Sequence, residues 1–104
     1  MIEALSKTEL PSLLATLPKW SHNTARRAIE REFEFADFLT AIEFMNIVAL
    51  IANRSDHHPE WSNVFSSVHM LLTTHDADGL SLRDIEMARA IDQASASLLA
   101  LEAM

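Results

Sequence analysis

The chain contains no cysteine. Disulfides and thiol catalysis are therefore excluded, although this does not fix the compartment. It has one glycine in 104 residues, which rules out phosphate-binding loops built on several glycines. Basic residues are few, 8 against 15 acidic, for a net charge of −7. That balance disfavours nonspecific binding to nucleic acid or to an anionic membrane. No run approaches the ~18 consecutive apolar residues of a membrane span. The opening MIEALSKTEL has no apolar signal core, so a cytoplasmic location is expected. There is no repeat and no low-complexity run.

What is present is a chain that is 49% hydrophobic, enough for one modest core and a single domain over residues 1–104. Segment 6–17 reads as a short helix, capped by Ser6 or Thr8, with Leu10, Leu13, Leu14 and Leu17 on its apolar side and Pro11 in its first turn. Pro18 ends it. Trp20 starts a short extended piece, broken by a polar turn over 21–24. Residues 28–35 alternate: Ile29, Phe33 and Phe35 face one way, Glu30, Glu32 and Glu34 the other, the period of a strand with one wet face. Arg31 interrupts the dry side, either near an edge or with its stem along apolar surface.

Asp37 is the expected N-cap of a helix running to about Asn53. Its stripe is Phe38, Ile42, Met45, Ala49 and Ala52, widened by Leu39 and Val48, with a flank of Phe44, Ile47 and Ile51. So wide a stripe implies contact on more than one side. A break at 55–59 follows, then a hairpin of 61–65 and 68–73 whose turn lacks asparagine and glycine, leaving its register open. Gly79 suits a positive backbone angle in the loop 76–79. Ser81 and Asp84 resemble a capping box for a last helix over 82–101, with Ile85, Ala88, Ile91, Ala94, Leu98 and Leu101 as its stripe. The order α-β-β-α-β-β-α predicts an α+β domain: a four-stranded antiparallel sheet in two layers, with helices packed on one face. A bare sheet edge makes self-association plausible.

Three of the five histidines fall at chain reversals. His57 and His58 precede Pro59, which pushes His58 toward an extended backbone, and His75 lies just beyond the last strand, 18 and 17 residues after them. Imidazoles give and take protons near neutral pH, so the trio suits proton transfer, one protonating a leaving hydroxyl and another removing a proton nearby. The alternative is three polar loop histidines. Zinc, iron or nickel is a weaker rival, because the spacing matches no common metal motif. Asp56, Asp76 and Asp84 can orient imidazoles, and Thr73 and Thr74 offer hydroxyls. Asp84 also suits a helix cap. His22 falls in a surface loop, and His69, within a strand, reads as structural or interfacial. Trp61 suits either a wall of a flat-ligand site or a cover over the sheet edge. Trp20, Phe33, Phe35 and Phe38 are expected in the core, and Arg83 is weakly specified.

The segment DHHPEWSNVFSSVHMLLTTHDADGLSLRDIEMARAID, residues 56–92, resembles the pterin-4a-carbinolamine dehydratase family, dimerisation-cofactor type. The resemblance rests on HHP at 57–59, Phe65, His75 and Asp84, supported upstream by 31–52 and by LPKW. It implies a helix-and-sheet domain that forms homodimers or homotetramers. It also implies dehydration of 4a-hydroxytetrahydrobiopterin or a related carbinolamine to the quinonoid dihydropterin, recycling the pterin of aromatic amino-acid hydroxylases. Pterin is then the substrate, with no metal and no organic cofactor. Carried over, His57, His58 and His75 are the catalytic trio, with acid and base labels exchangeable. Pro59, Trp61, Thr74, Asp76 and Ala77 complete the pterin-binding set, and Asn53, Asp56 and Asp84 support it. Asn53 departs from the pattern, since family members often carry an acid there; an amide still accepts a hydrogen bond but brings no charge. Some members also partner a transcription regulator, so a non-enzymatic pterin-binding or protein-interaction module is the alternative.

Overall fold

The computed structural model describes residues 2–102. Helix α1 spans Glu9–Leu14, strands β1 and β2 span Ser21–Asn23 and Ala28–Glu34, and α2 spans Phe38–Ser55. Strands β3 (Glu60–Val64) and β4 (Ser67–Leu72) form the hairpin, a single 3-10 turn occupies His75–Ala77, and α3 runs Leu82–Glu102. The sheet is antiparallel throughout, in the order β1-β2-β4-β3, so the expected α+β arrangement is the one observed.

The dry face of the sheet is built by period two. Ile29 and Phe33 of β2 and Val68, Met70 and Leu72 of β4 are buried in one cluster with Phe44, Val48, Ile85, Ala88 and Ile91 of the two long helices. Phe44 centres it, its ring 4.8 Å from Phe33 and 4.9 Å from Phe35. Arg31 keeps its stem in this layer. Its guanidinium lies 4.1 Å over the Phe33 ring and bonds Asp92 at 2.6 Å, while Trp20 Nε1 donates to the same carboxylate at 2.8 Å. Asp92 of α3 thus ties both β2 and the segment leading into β1 to the helical layer.

Several local expectations shift. Helix α1 is shorter than 6–17: it stops at Leu14, and a run of tighter turn bonds carries the chain on to buried Leu17. Its entry is a reciprocal pair, Glu9 N–H donating to Ser6 Oγ and Ser6 N–H to Glu9 Oε1, both 3.1 Å. The turn expected at 21–24 lies instead at 24–27, because 21–23 pairs with 28–30 as β1. The buried face of α2 is Ala41, Phe44, Val48 and Ala52, rotated from the predicted stripe; Phe38 and Leu39 are 44% and 76% exposed. With apolar residues almost all round, period alone does not choose the face. Helix α2 is also long and apolar enough to cross a membrane, yet its buried positions pack on the sheet and α3 as a core helix does. In α3, Asp84 and Ser95 join the buried face, whereas Leu101 is exposed.

The hairpin turn needs neither asparagine nor glycine within it. Phe65 takes a left-handed backbone (φ 51°), and Asn63 Nδ2 donates to Phe65 O and Ser67 O at 3.0 and 2.9 Å. The side-chain amide bonds the reversal and fixes the register as Val64 opposite Ser67.

Candidate functional site

Three chain reversals converge at one end of the helical layer. The first is the end of α2. Asp56 adopts a left-handed conformation (φ 48°), which aspartate tolerates better than most residues. The amides of Asp56 and His57 then bond back to Asn53 O (3.4 Å) and Ala52 O (3.1 Å). This is a Schellman-type stop made without glycine. It turns His57 inward and leaves His58 exposed beside Pro59.

The second reversal is the loop 74–79. Thr74 and Gly79 bridge each other through their backbones, N···O 3.0 and 3.3 Å, closing a tight loop that holds His75 and Asp76 outward. Asp78 (φ 54°) and Gly79 (φ 156°) both have positive φ, so the sole glycine stands where the angle requires it. Gly79→Ala is expected to cost about 1–3 kcal/mol through backbone strain, read as a lowered denaturation midpoint. A side chain there meets only ordinary contact, Arg27 Cβ at 3.9 Å, so the loss comes from conformation and not from a clash.

The third reversal starts α3. Asp84 is fully buried and accepts from Ser81 N–H at 3.0 Å and Thr74 Oγ1 at 2.7 Å through one oxygen. Its other oxygen faces His57 Nε2 at 2.6 Å, and Thr74 Oγ1 and Ser81 Oγ lie 2.6 Å apart. Ser81 Oγ also accepts from Arg83 N–H at 3.2 Å. The expected capping box is present, with its serine half one residue early. Among the described residues no buried side-chain polar atom lacks a partner, so the cluster is closed. A carboxylate facing Nε2 holds the imidazole in its Nε2–H form and fixes the ring plane.

These reversals border an open cleft of about 370 Å³, within the usual size range of small-molecule sites. Its walls are Asp56, His57, His58, Pro59 and Glu60 from the α2–β3 connection and Thr73, Thr74, His75 and Asp76 after β4. Ile2 and Arg83 close it. The structure thus brings the three histidines together, with Pro59, Thr74, Asp76 and Asp56. Asp84 stands behind His57, out of the cleft. Trp61, Ala77 and Asn53 do not line it. Trp61 lies on edge strand β3 beside a different depression, with Arg26, Ser62 and His69. Asn53 is exposed on the last turn of α2. The acidic residues that line it are Asp56, Glu60 and Asp76, with the Glu60 carboxylate held by Arg26. Ser81 fills the cap that the Ser-x-x-Asp spacing announced, and Arg83, which the sequence left weakly specified, lines the cleft.

His69 belongs to another surface. Its Nε2 lies 2.9 Å from Glu30 Oε1, and Asn23 Nδ2 donates to Glu30 Oε2 at 2.6 Å. These two hydrogen bonds, His69 first, hold the Glu30 carboxyl below the usual glutamate range. Among the described residues no group of three or more histidine or acidic side chains has the geometry to hold a metal ion.

Comparison with known proteins places the chain in one family. The family model described as pterin 4 alpha carbinolamine dehydratase matches residues 3–94. A Rhizorhabdus wittichii protein is 54% identical over 91 residues, 88% of this chain and 94% of its own length. A Rhodopseudomonas palustris protein is 48% identical over 98 residues, 94% of this chain and 97% of its own. Both carry the name pterin-4-alpha-carbinolamine dehydratase as a provisional assignment. The crystal structure of a transcriptional coactivator/pterin dehydratase from Brucella melitensis superposes with a TM-score of 0.86 at 40% identity, over 89% of this chain and 99% of that one. The match spans all three reversals and the strands between them, and the chain belongs to the pterin 4 alpha carbinolamine dehydratase family.

Proposed function

We propose that this protein is a hydro-lyase that dehydrates a pterin 4a-carbinolamine, such as 4a-hydroxytetrahydrobiopterin, to the quinonoid dihydropterin. The observation that carries this reading is the gathering of His57, His58 and His75 around one cleft, with the His57 ring fixed by buried Asp84. In the reaction a protonated imidazole gives its proton to the 4a-hydroxyl, the C4a–O bond breaks, and water leaves. A neutral imidazole takes the N5 proton, and the N5–H electron pair becomes the C4a=N5 double bond. His58 and His75 are exposed to the cleft and carry these two transfers, in either order. His57, already committed through Nε2, orients the bound ring. Asp56 and Asp76 offer acceptors to the N–H groups of the pterin edge, and the backbone at Thr74 adds further bonding positions. All of these are protein groups, so the step draws on no cofactor and no metal, and the pterin is substrate. A cytoplasmic role in recycling the pterin of an aromatic amino-acid hydroxylase fits this chemistry.

The test is stopped-flow absorbance on freshly generated 4a-hydroxytetrahydropterin. Decay faster than the spontaneous reaction, and proportional to protein concentration, is expected. No acceleration by well-folded protein would overturn the reading.

A second reading, a dimerisation-cofactor module, is favoured by two observations. Leu39 and Leu50 of α2 are 76% and 59% exposed, leaving apolar surface on a long helix, and the Brucella melitensis relative is titled a transcriptional coactivator as well as a dehydratase. Homodimer or homotetramer assembly, read by light scattering, is part of that reading and is compatible with catalysis.

A further inference from the structure

The cleft does not end at His75. On the far side of Thr73 and His75, which line both, lies a second open cleft of about 370 Å³. Its other walls are Ala25, Arg26 and Arg27 from the β1–β2 turn and Asp78 and Gly79 from the loop after β4. In a chain of net charge −7, two of the eight basic residues are adjacent at this rim.

Both arginines are held in place but lightly committed. Arg26 N–H donates to Asn23 Oδ1 at 3.1 Å, and Arg27 has a left-handed backbone (φ 51°), uncommon for a residue of its size. Arg27 O accepts from Thr73 Oγ1 at 2.8 Å, fastening the turn to the wall shared with the histidine cleft. The guanidinium of Arg26 reaches both oxygens of Glu60 at 2.7 and 2.8 Å, and that of Arg27 reaches Asp78 at 2.6 Å. These pairs are exposed, at 51% and 48% for the first and 63% and 88% for the second. Exposed ion pairs are weak. A ligand group with several charged oxygens can therefore replace the carboxylates with little loss, and guanidinium forks suit such oxygens geometrically.

We propose that this second cleft is a tail subsite, and that the preferred substrate is a pterin whose side chain ends in a phosphate monoester. The inference rests on the dehydratase reading for the ring. The ring lies against His57, His58 and His75, the side chain passes Thr73, and the phosphate replaces Glu60 and Asp78 on Arg26 and Arg27. The two guanidinium groups only donate, so an acceptor-rich anion gains more there than a neutral polyol.

The test is calorimetric titration with three probes: a reduced pterin bearing a neutral polyhydroxyalkyl side chain, its terminal phosphate ester, and inorganic phosphate. The ester is expected to bind at least about tenfold more tightly than the neutral pterin, an advantage that shrinks with added salt. In the Arg26→Ala/Arg27→Ala double variant the ratio of the two affinities falls to near one, the neutral pterin reporting that the fold is intact. Inorganic phosphate competes away the ester's advantage in the wild type. Equal affinities in the wild type, a ratio that survives in the double variant, or phosphate that does not compete would each overturn the subsite. Failure of the two readings is distinguishable. A phosphate preference without dehydration removes the catalytic reading and keeps the subsite. Dehydration with equal affinities does the reverse.

Discussion

His75→Ala is expected to lower the rate of carbinolamine dehydration by roughly 10²–10⁴-fold, the range of a positioned acid or base, with little change in stability. His75 is exposed on the closed 74–79 loop and makes no side-chain hydrogen bond among the described residues, so its loss leaves no buried group unpaired. His58→Ala should behave alike, because His58 is also exposed and faces the same volume. The double variant separates cooperation from redundancy. If one imidazole gives a proton while the other takes one in the same transition state, the second removal costs far less than the first. Single-turnover stopped-flow on both single variants and the double variant reads this directly. Full activity in both single variants would remove the assignment.

Asp84→Ala is expected to have the largest effect on stability. The change deletes the acceptor of His57 Nε2, Thr74 Oγ1 and Ser81 N–H at a fully buried position. Removing one member of such a buried, charge-bearing network costs about 3–5 kcal/mol. That is a large share of the ~5–15 kcal/mol that holds a domain of this size together. At about 4–8 °C per kcal/mol the denaturation midpoint falls by at least about 12 °C, measurable by circular dichroism. Asp84→Asn separates the fold from the chemistry. Its amide keeps an acceptor for Ser81 N–H and Thr74 Oγ1 and aims a donor at His57, and the ring meets that donor only by moving its own proton to Nδ1. The expected result is a smaller stability loss with dehydration impaired and binding of the reduced pterin retained. A variant with full activity would show that the orientation of His57 does not matter.

The strands of the dry face were legible because their period was clean. Ile29 and Phe33, and Val68, Met70 and Leu72, recur at every second or fourth position, mostly between polar neighbours such as Glu30, Glu32, Glu34, Ser67 and His69, and a one-residue slip would turn them off the core face. Helix α2 was legible as a helix but not in its rotation, since apolar residues surround most of its circumference. Only the sheet and α3 select Ala41, Phe44, Val48 and Ala52 as the inner face. Asp84 shows the same division at the site. Its spacing from Ser81 announced a cap, and the cap is there. That its second oxygen holds His57, 27 residues earlier, depends on where α3 starts relative to the end of α2. Trp61 is the converse case: its place after HHPE left a cleft wall and a sheet-edge position both open, and strand register puts it opposite Met70 at the sheet edge.

Sequence by itself determined the classes of chemistry open to this protein. The lack of cysteine and the single glycine excluded thiol catalysis and glycine-rich phosphate loops; imidazole proton transfer stood beside a metal site and plain loop histidines until HHP with His75 and Asp84 marked the family. Tertiary structure decided which groups meet. It made one histidine buried and oriented and left two exposed, removed Trp61 and Asn53 from the cleft, and added Arg83. It also set Arg26 and Arg27 beyond His75. The physical reason is range: propensity, capping and period act over a few residues, whereas the site is closed by contacts between reversals far apart in the chain. Those contacts exist only once the core has fixed the positions of the elements.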